Sequence, residues 1–482
     1  MRLLKINTIF KNSSLGILQN VFNIIVSVFI NGYIAGKLGT GEYGKFIFAF
    51  AFPQVFSVIA DFGLQGYYTK KIAAHREATR TYLGEMTLLR MGLSCIAVFL
   101  AVGALAITGH PADTKTAVLI GVLSVLIAQT LITNAWTVFQ AHEDVKYVAV
   151  SNVMSRVIIA LLSIAVLQFG GGLLEITSVY AIGYIIQIVY CTRILLKEGW
   201  APIFSVTRGE ITGIFKEALP FSLFGIFSYL ALSIDKTMLS LISGDDSLGI
   251  YNAASSLCTS SFMISLSIAT AVFPTLVQSF RQNRMEEFSR KMQIILKWML
   301  LLGMPLALII AFYGYDIILF IYRNVSYRPS VIVLQILIWM LPIDLVSRIL
   351  RYALIAANRE HSVTLYYGFG LALNVLLNFI LIPQYSYVGA AYAAIITQTF
   401  LLAVQVILYF RSLQMGISLP YFKIVVGNAT LLGALWLWGT KVYWMVGIVT
   451  SIVIFAVQMV VLGVVRREDF AAIFVPKNEQ KS

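Results

Sequence analysis

Acidic residues are scarce in this chain: 22 Asp and Glu stand against 35 Lys and Arg in 482 positions, and charged residues of both signs make up only 12%. A soluble domain carries about a quarter of its residues as charges, so a water-facing globule of this length is excluded. Cysteine occurs three times and histidine four. Cys95, Cys191 and Cys258 all fall inside apolar runs, where a thiol packs as a small hydrophobe, and they give no disulfide framework. His75, His110, His142 and His361 are far apart and have no ligand spacing, so neither a metal site nor a metal cofactor is expected. Long polar stretches are missing too. The longest connections, Gly66 to Leu83 and Leu196 to Ala218, run about twenty residues. They leave no room for a folded catalytic domain, so the chain is not expected to be an enzyme. A membrane-embedded glycosyltransferase, which would carry paired acidic residues on a substantial loop, is the weaker alternative. A basic soluble face for a nucleic acid is absent as well.

What the chain has in quantity is hydrocarbon: 59% of its residues are hydrophobic. A transmembrane helix needs about 20 mainly apolar residues, and the expected spans are 14 to 36, 43 to 64, 84 to 108, 115 to 140, 147 to 168, 173 to 195, 219 to 242, 249 to 278, 292 to 313, 330 to 356, 362 to 383, 387 to 410, 423 to 440 and 443 to 465. All should be helices, since an open strand edge in lipid leaves backbone donors unsatisfied. The fold class is therefore an all-α polytopic membrane protein of about 14 spans. The first run is full length and is followed by no small-residue cleavage site, so it is expected to be a retained helix. Lys and Arg fall mostly on alternate loops, among them Lys70, Lys71, Arg76, Arg80, Arg193, Lys197, Arg281 and Arg284, whereas the other side holds Lys37, Lys45, Lys115, Arg323, Arg328 and Lys441. Positive loops stay inside, which puts both termini in the cytoplasm. The net charge of +13 is then largely topological.

A repeat shows where helix pairs begin. Leu38, Gly39, Thr40, Gly41, Glu42, Tyr43, Gly44, Lys45, Phe46 after the first span matches Ile242, Ser243, Gly244, Asp245, Asp246, Ser247, Leu248, Gly249, Ile250, Tyr251 after the seventh. In each, a glycine-containing turn leads to a Gly two residues before an aromatic. Two parallel six-helix halves follow, 1–200 and 201–411, with 412–482 adding two helices and a tail.

An ionised side chain at the centre of a span costs about 2.5 to 3.5 kcal/mol, so those retained usually face a partner or a cavity. Arg90, Arg156, Lys236, Arg348 and Arg351 are such cations, and Asp61, Asp235 and Asp344 are such carboxylates. Asp344, Arg348 and Arg351 lie on one helical stripe after Pro342. Either Asp344 pairs with Arg348 while Arg351 snorkels, or all three line a cavity. Asn20, Asn23 and Asn31 form a polar stripe on the first span. Asn can also simply bond between helices, at about 0.6 kcal/mol on average. Together the groups are expected to line a wet, cation-rich lumen, suited to an anionic substrate such as a diphosphate.

The run GKLGTGEYGKFIFAFAFPQVFSVIADFGLQGYYTKKIAAHR from Gly36 to Arg76 resembles the start of the Wzx-type polysaccharide flippases, with their Leu-Gly turn, Tyr-Gly pair, Asp-Phe-Gly-Leu segment and basic stretch. Asp235 to Tyr251 and the Ala356, Ala357, Asn358 helix ending are similar to that family's second half. The resemblance implies the multidrug/oligosaccharidyl-lipid/polysaccharide exporter (MOP) superfamily, in which two bundles surround a lumen that opens alternately to either side. It also implies a substrate, an undecaprenyl-diphosphate-linked oligosaccharide carried from the inner to the outer leaflet of the cytoplasmic membrane for O-antigen or exopolysaccharide assembly. Membrane lipid, a polysaccharide polymerase and chain-length machinery are the implied partners. By likeness to the related peptidoglycan-precursor flippase, the last two helices would hold the lipid tail. Asp61 sits inside the matching motif. A cation drug or metabolite antiporter of the same superfamily is the main alternative. No cofactor is implied.

Overall fold

The computed structural model describes residues 2–205, 208–413, 416 and 420–464, with side chains described from residue 22 onward except at some positions between 208 and 271 and at residue 421. Sixteen α-helices run through the described residues, and no strand is found among them. They are α1 (Arg2–Asp61), α2 (Leu64–Ala74), α3 (Thr79–Ala106), α4 (Ala112–Val122), α5 (Gln129–Ala141), α6 (Val145–Gln168), α7 (Leu173–Lys197), α8 (Arg208–Ser243), α9 (Asp245–Arg281), α10 (Met285–Phe312), α11 (Gly314–Tyr322), α12 (Ser330–Leu337), α13 (Met340–Ala356), α14 (Glu360–Leu413), α15 (Tyr421–Trp438) and α16 (Trp444–Val461).

The expected spans fall within these helices, but not one to one. Nine helices among the described residues are long and apolar enough to cross a bilayer. Two of them are broken and hold two expected spans each. α1 is interrupted at Gly39, whose φ of 79° only glycine adopts freely. α14 is interrupted at Ser386 (φ 49°), three residues after Pro383 has removed a helical hydrogen bond. The fourth expected span is α4 and α5 joined by a π-helical turn, Leu123–Ala128, and the tenth is α12 and α13. Side chains such as Phe99, Phe169, Phe422, Trp436 and Val461 are largely exposed. Lipid covers surfaces of this kind, and the protein is a multi-pass membrane protein.

Two short helices lie in segments the sequence leaves as loops. α2 follows a tight left-handed turn at Phe62 and Gly63 (φ 43° and 75°). Its Leu64, Tyr68 and Ile72 are buried with Met86 and Phe139, which makes the helix part of the core. α11 is apolar but has only nine residues, too few for a crossing. The loop between α5 and α6 is also tied down. His142 stacks on Trp200 at 4.3 Å and shares a 2.9 Å hydrogen bond with Thr79. Burial there, with Arg76 nearby, pushes the His142 imidazole below its ordinary range.

The chain divides into two compact units. One comprises Met1–Ala253, Ile321–Ser326 and Asn374–Ala390; the other comprises Ala254–Phe320, Tyr327–Leu373 and Ala391–Ser482. In the second, α10, α15 and α16 share a core built on Leu301, Ile309, Leu431, Leu435, Phe455 and Met459.

Candidate functional site

In the first unit Asp61 and Arg90 form an ion pair of 3.0 Å. Arg90 also donates to Asn134 Oδ1 at 2.6 Å, and Asp61 accepts from the backbone N–H groups of Gly63 and Gln65, both at 3.3 Å. The carboxylate therefore caps the start of α2 and closes the left-handed turn, which explains its place in an Asp-Phe-Gly sequence. The pair borders a polar chamber of about 40 Å³ lined by Gln54, Ser57, Gln65, Gln129, Thr130 and Thr133. The π-helical turn brings Val125 and Gln129 to that wall.

Arg156 is placed differently. Ser155 donates to the carbonyl of Gly183 at 3.3 Å, and a Cβ on Gly183 would come within 2.4 Å of Ile159, so α6 and α7 cross closely on small residues. That crossing sets Arg156 near the phenols of Tyr180 and Tyr184 on successive turns of α7. Tyr180 donates in turn to Asn31 Oδ1 at 3.4 Å. Arg156 is half-buried, and no carboxylate lies within ion-pair distance of it among the described residues. A guanidinium with phenol groups near it and no carboxylate partner can bind an oxyanion without first breaking a salt bridge.

Asp235 in α8 is buried and accepts from Asn378 Nδ2 at 2.7 Å and from Tyr251 at 3.4 Å. Asn378 also donates to Asn374 Oδ1 at 3.1 Å, while its own Oδ1 is buried without a hydrogen-bond partner. Lys236 lies next to Asp235 in sequence and acts on it electrostatically. No basic group stands within ion-pair distance of Asp235 among the described residues. The result is a carboxylate held by an amide N–H and a phenol with no cation paired to it, a group able to take up a proton or a hard cation.

In the second unit Arg348 pairs with Asp344 at 2.9 Å and donates through Nε to Ser265 at 2.8 Å, and Ser265 also bonds Asp344. The stripe on α13 thus resolves into a paired carboxylate and a separate cation. Arg351 bonds the Tyr367 hydroxyl and lies over the rings of Tyr367 and Tyr352, 5.5 and 6.0 Å from their centroids. Removing one member of a buried pair leaves an uncompensated charge, at about 3 kcal/mol or more. Asp344→Asn should therefore lower the melting temperature in detergent, and Asp344→Asn with Arg348→Met should recover part of the loss. An Asn variant as stable as the parent would show that the pair has no structural weight.

On the expected polar stripe of α1, Asn23 has a buried Oδ1 without a hydrogen-bond partner, and Asn31 bonds Tyr180. The Asn20 side chain lies outside the described residues. Asn374, Asn378, Tyr180, Tyr184 and Tyr367 were not expected from the sequence. Asn374 and Asn378 could have been found, because they stand four residues apart in an otherwise apolar stretch of α14, residues 368–383. Tyrosines on apolar helices carry no such signal.

Between α10 and α16 runs an apolar groove of about 300 Å³, lined by Trp298, Leu302, Leu306, Ile452, Phe455 and Val460 among others. Lys297 donates to the carbonyl of Val464 at 3.0 Å, fastening the end of α16 beside it.

Residues 9–280 match a family model described as polysaccharide biosynthesis protein, and residues 212–380 match a second, MatE. No curated protein matches the chain. Among solved structures, one described as the lipid II flippase MurJ in an inward closed conformation aligns with a TM-score of 0.73 at 16% identity, over 95% of this chain and 98% of its own. An inward-facing MATE family multidrug resistance transporter of the MOP superfamily gives 0.66 at 12%, over 82% and 94%. A MOP superfamily transporter from Pyrococcus furiosus, described as having a binding pocket of reverse polarity, gives 0.57 at 12%, over 85% and 96%. At these identities the likeness is one of fold. Since the first family match spans more than half of its length, the chain belongs to the polysaccharide biosynthesis protein family.

Proposed function

We propose that the protein flips a polyprenyl-diphosphate-linked oligosaccharide from the inner to the outer leaflet of the cytoplasmic membrane, by alternating access, for surface polysaccharide assembly. The observation that carries this is Arg156, a cation within a membrane helix with two phenols near it, one of them bonded to Asn31, and no carboxylate partner among the described residues. The tail never leaves hydrocarbon, whereas the diphosphate and sugars need polar lining throughout the crossing. Arg156 supplies the charge for the diphosphate, with Arg351 and Lys236 as further cations, and Asn23 and Asn31 serve sugar hydroxyls. Arg90 and Arg348 hold Asp61 and Asp344, and contribute through those pairs. The groove beside α16 receives the tail. Asp235, the carboxylate of the three without a basic group at ion-pair distance, is the candidate for a coupling proton or sodium ion. An inside-negative potential adds about 2.3 kcal/mol per charge per 100 mV to outward movement of an anion.

The test is transport by purified protein in vesicles holding a polyprenyl-diphosphate oligosaccharide, with exposure in the outer leaflet read by an impermeant sugar-oxidising reagent. Faster exposure than in protein-free vesicles is the expected result. The MatE match over residues 212–380 favours a second reading, a cation antiporter. Extrusion of a cationic dye with no effect on the lipid would establish that reading in place of the flippase.

A further inference from the structure

The two turns that repeat in the sequence meet in the first unit, and they meet through their glycines. A Cβ built on Gly44 would lie 1.7 Å from the carbonyl oxygen of Asp245, and one built on Gly249 would lie 2.0 Å from the carbonyl oxygen of Thr40. Thr40 and Gly44 are four residues apart, as are Asp245 and Gly249, so each helix start presents one carbonyl and one bare α-carbon to the other. The contact is reciprocal. Each carbonyl takes the place a side chain would need, at the separation of a Cα–H···O contact between packed helices.

The surroundings hold the seam shut. The Thr40 hydroxyl donates to the Asp246 carboxylate, and Asn252 Nδ2 donates to the Tyr43 hydroxyl at 3.0 Å. A few residues further back, a Cβ on Gly36 would lie 2.2 Å from the carbonyl of Tyr322, and Tyr322 donates to the carbonyl of Ala253 at 2.7 Å. The second helices of the two repeats therefore meet backbone to backbone at their starts, and Tyr322 of α11 ties the end of the first helix to α9. By the distribution of Lys and Arg, this end is the one away from the cytoplasm.

We infer that the reciprocal Gly44–Gly249 contact is the outer gate of the transport path, a seam with no side chain on its two glycines that must part before substrate can leave. This rests on the transport reading for what passes the gate, though not for the gate itself. A seam of two backbones has no rotamer that could swing aside. It opens only when the two helix starts separate as bodies, and a single methyl group at either glycine holds them apart.

Two measurements on the full-length chain test it, in a background with Cys95, Cys191 and Cys258 replaced by alanine. In Thr40→Cys with Asp246→Cys, a short thiol-specific cross-linker should join the pair, lower lipid export at least tenfold, and release it on reduction. Export at the uncross-linked rate by fully joined protein would overturn the inference. In the second, Asn31→Cys reports access by an impermeant maleimide added to either face of sealed vesicles. Gly249→Ala should raise labelling from the face opposite the cytoplasmic loops about tenfold; an unchanged rate in protein of normal melting temperature would overturn it. If Gly249→Ala fails to fold, the cross-linking arm decides alone. Labelling does not depend on the substrate. No lipid export by the wild-type protein, together with the labelling change on Gly249→Ala in the Asn31→Cys reporter, would sink the transport reading and leave the gate standing.

Discussion

Arg156→Ala should abolish export of the lipid-linked oligosaccharide, by at least tenfold in vesicles, while membrane abundance and melting temperature stay near those of the parent. The separation of effects follows from the surroundings of the side chain. Arg156 has no carboxylate partner among the described residues, so its removal orphans no opposite charge, and an ionised group in a span is costly enough to be kept for what it binds. Arg156→Lys should recover only part of the activity, since an ammonium is a point donor and cannot hold two phosphate oxygens side by side. Tyr184→Phe, which removes a phenol beside the guanidinium, should weaken substrate affinity and leave the maximal rate nearly intact. Loss of abundance together with activity in Arg156→Ala would instead make the residue a packing element of the α6–α7 crossing.

Asp235→Asn carries the second large effect. The substitution keeps the shape of the side chain, with its one oxygen left to accept from Asn378 and its new amide nitrogen able to donate to the Tyr251 hydroxyl, yet it removes the charge that a cation would neutralise. Transport driven by an imposed sodium or proton gradient should lose its dependence on that gradient, and any remaining flux should follow the lipid gradient alone. Asp344 cannot take this role without first releasing Arg348, nor Asp61 without releasing Arg90. Gradient-dependent export by Asp235→Asn, at the parent's rate, would exclude Asp235 as the coupling site. The arm is independent of the Arg156 test, because a flippase without ion coupling would fail here and pass there.

Much of this protein can be read from the sequence, because the bilayer leaves the backbone few options. The apolar runs give helices since nothing else satisfies the backbone in lipid, and the glycine turns after the first and seventh spans mark the places where the chain packs backbone against backbone. The breaks at Gly39 and Ser386 are less legible. The helix resumes directly after each one, and only the dihedral angles tell a kink from a loop. α2 is missed for another reason. Its Tyr67, Tyr68 and Lys71 look like an interfacial loop, but Lys71 sits over the rings of Tyr67, Tyr68 and Tyr82 and the helix is drawn into the core. At the candidate site, the charges that matter could be named in advance because lipid makes them costly. Their pairing could not. Asp344 and Arg348 meet at a spacing the helix dictates, but Asp61 meets Arg90 across 29 residues and Asp235 meets Asn378 across 143, and only the packing of α3 on α1 and of α14 beside α8 brings those together.

The glycine seam also limits how this chain can diverge. At most buried positions, enlargement of one side chain is answered by trimming its neighbour, and a lineage drifts through such exchanges. At positions 44 and 249 the neighbour is a peptide carbonyl, which no substitution can shorten. Neither turn can acquire bulk on its own account, so the two segments stay yoked at this point however far the rest of their sequences differ.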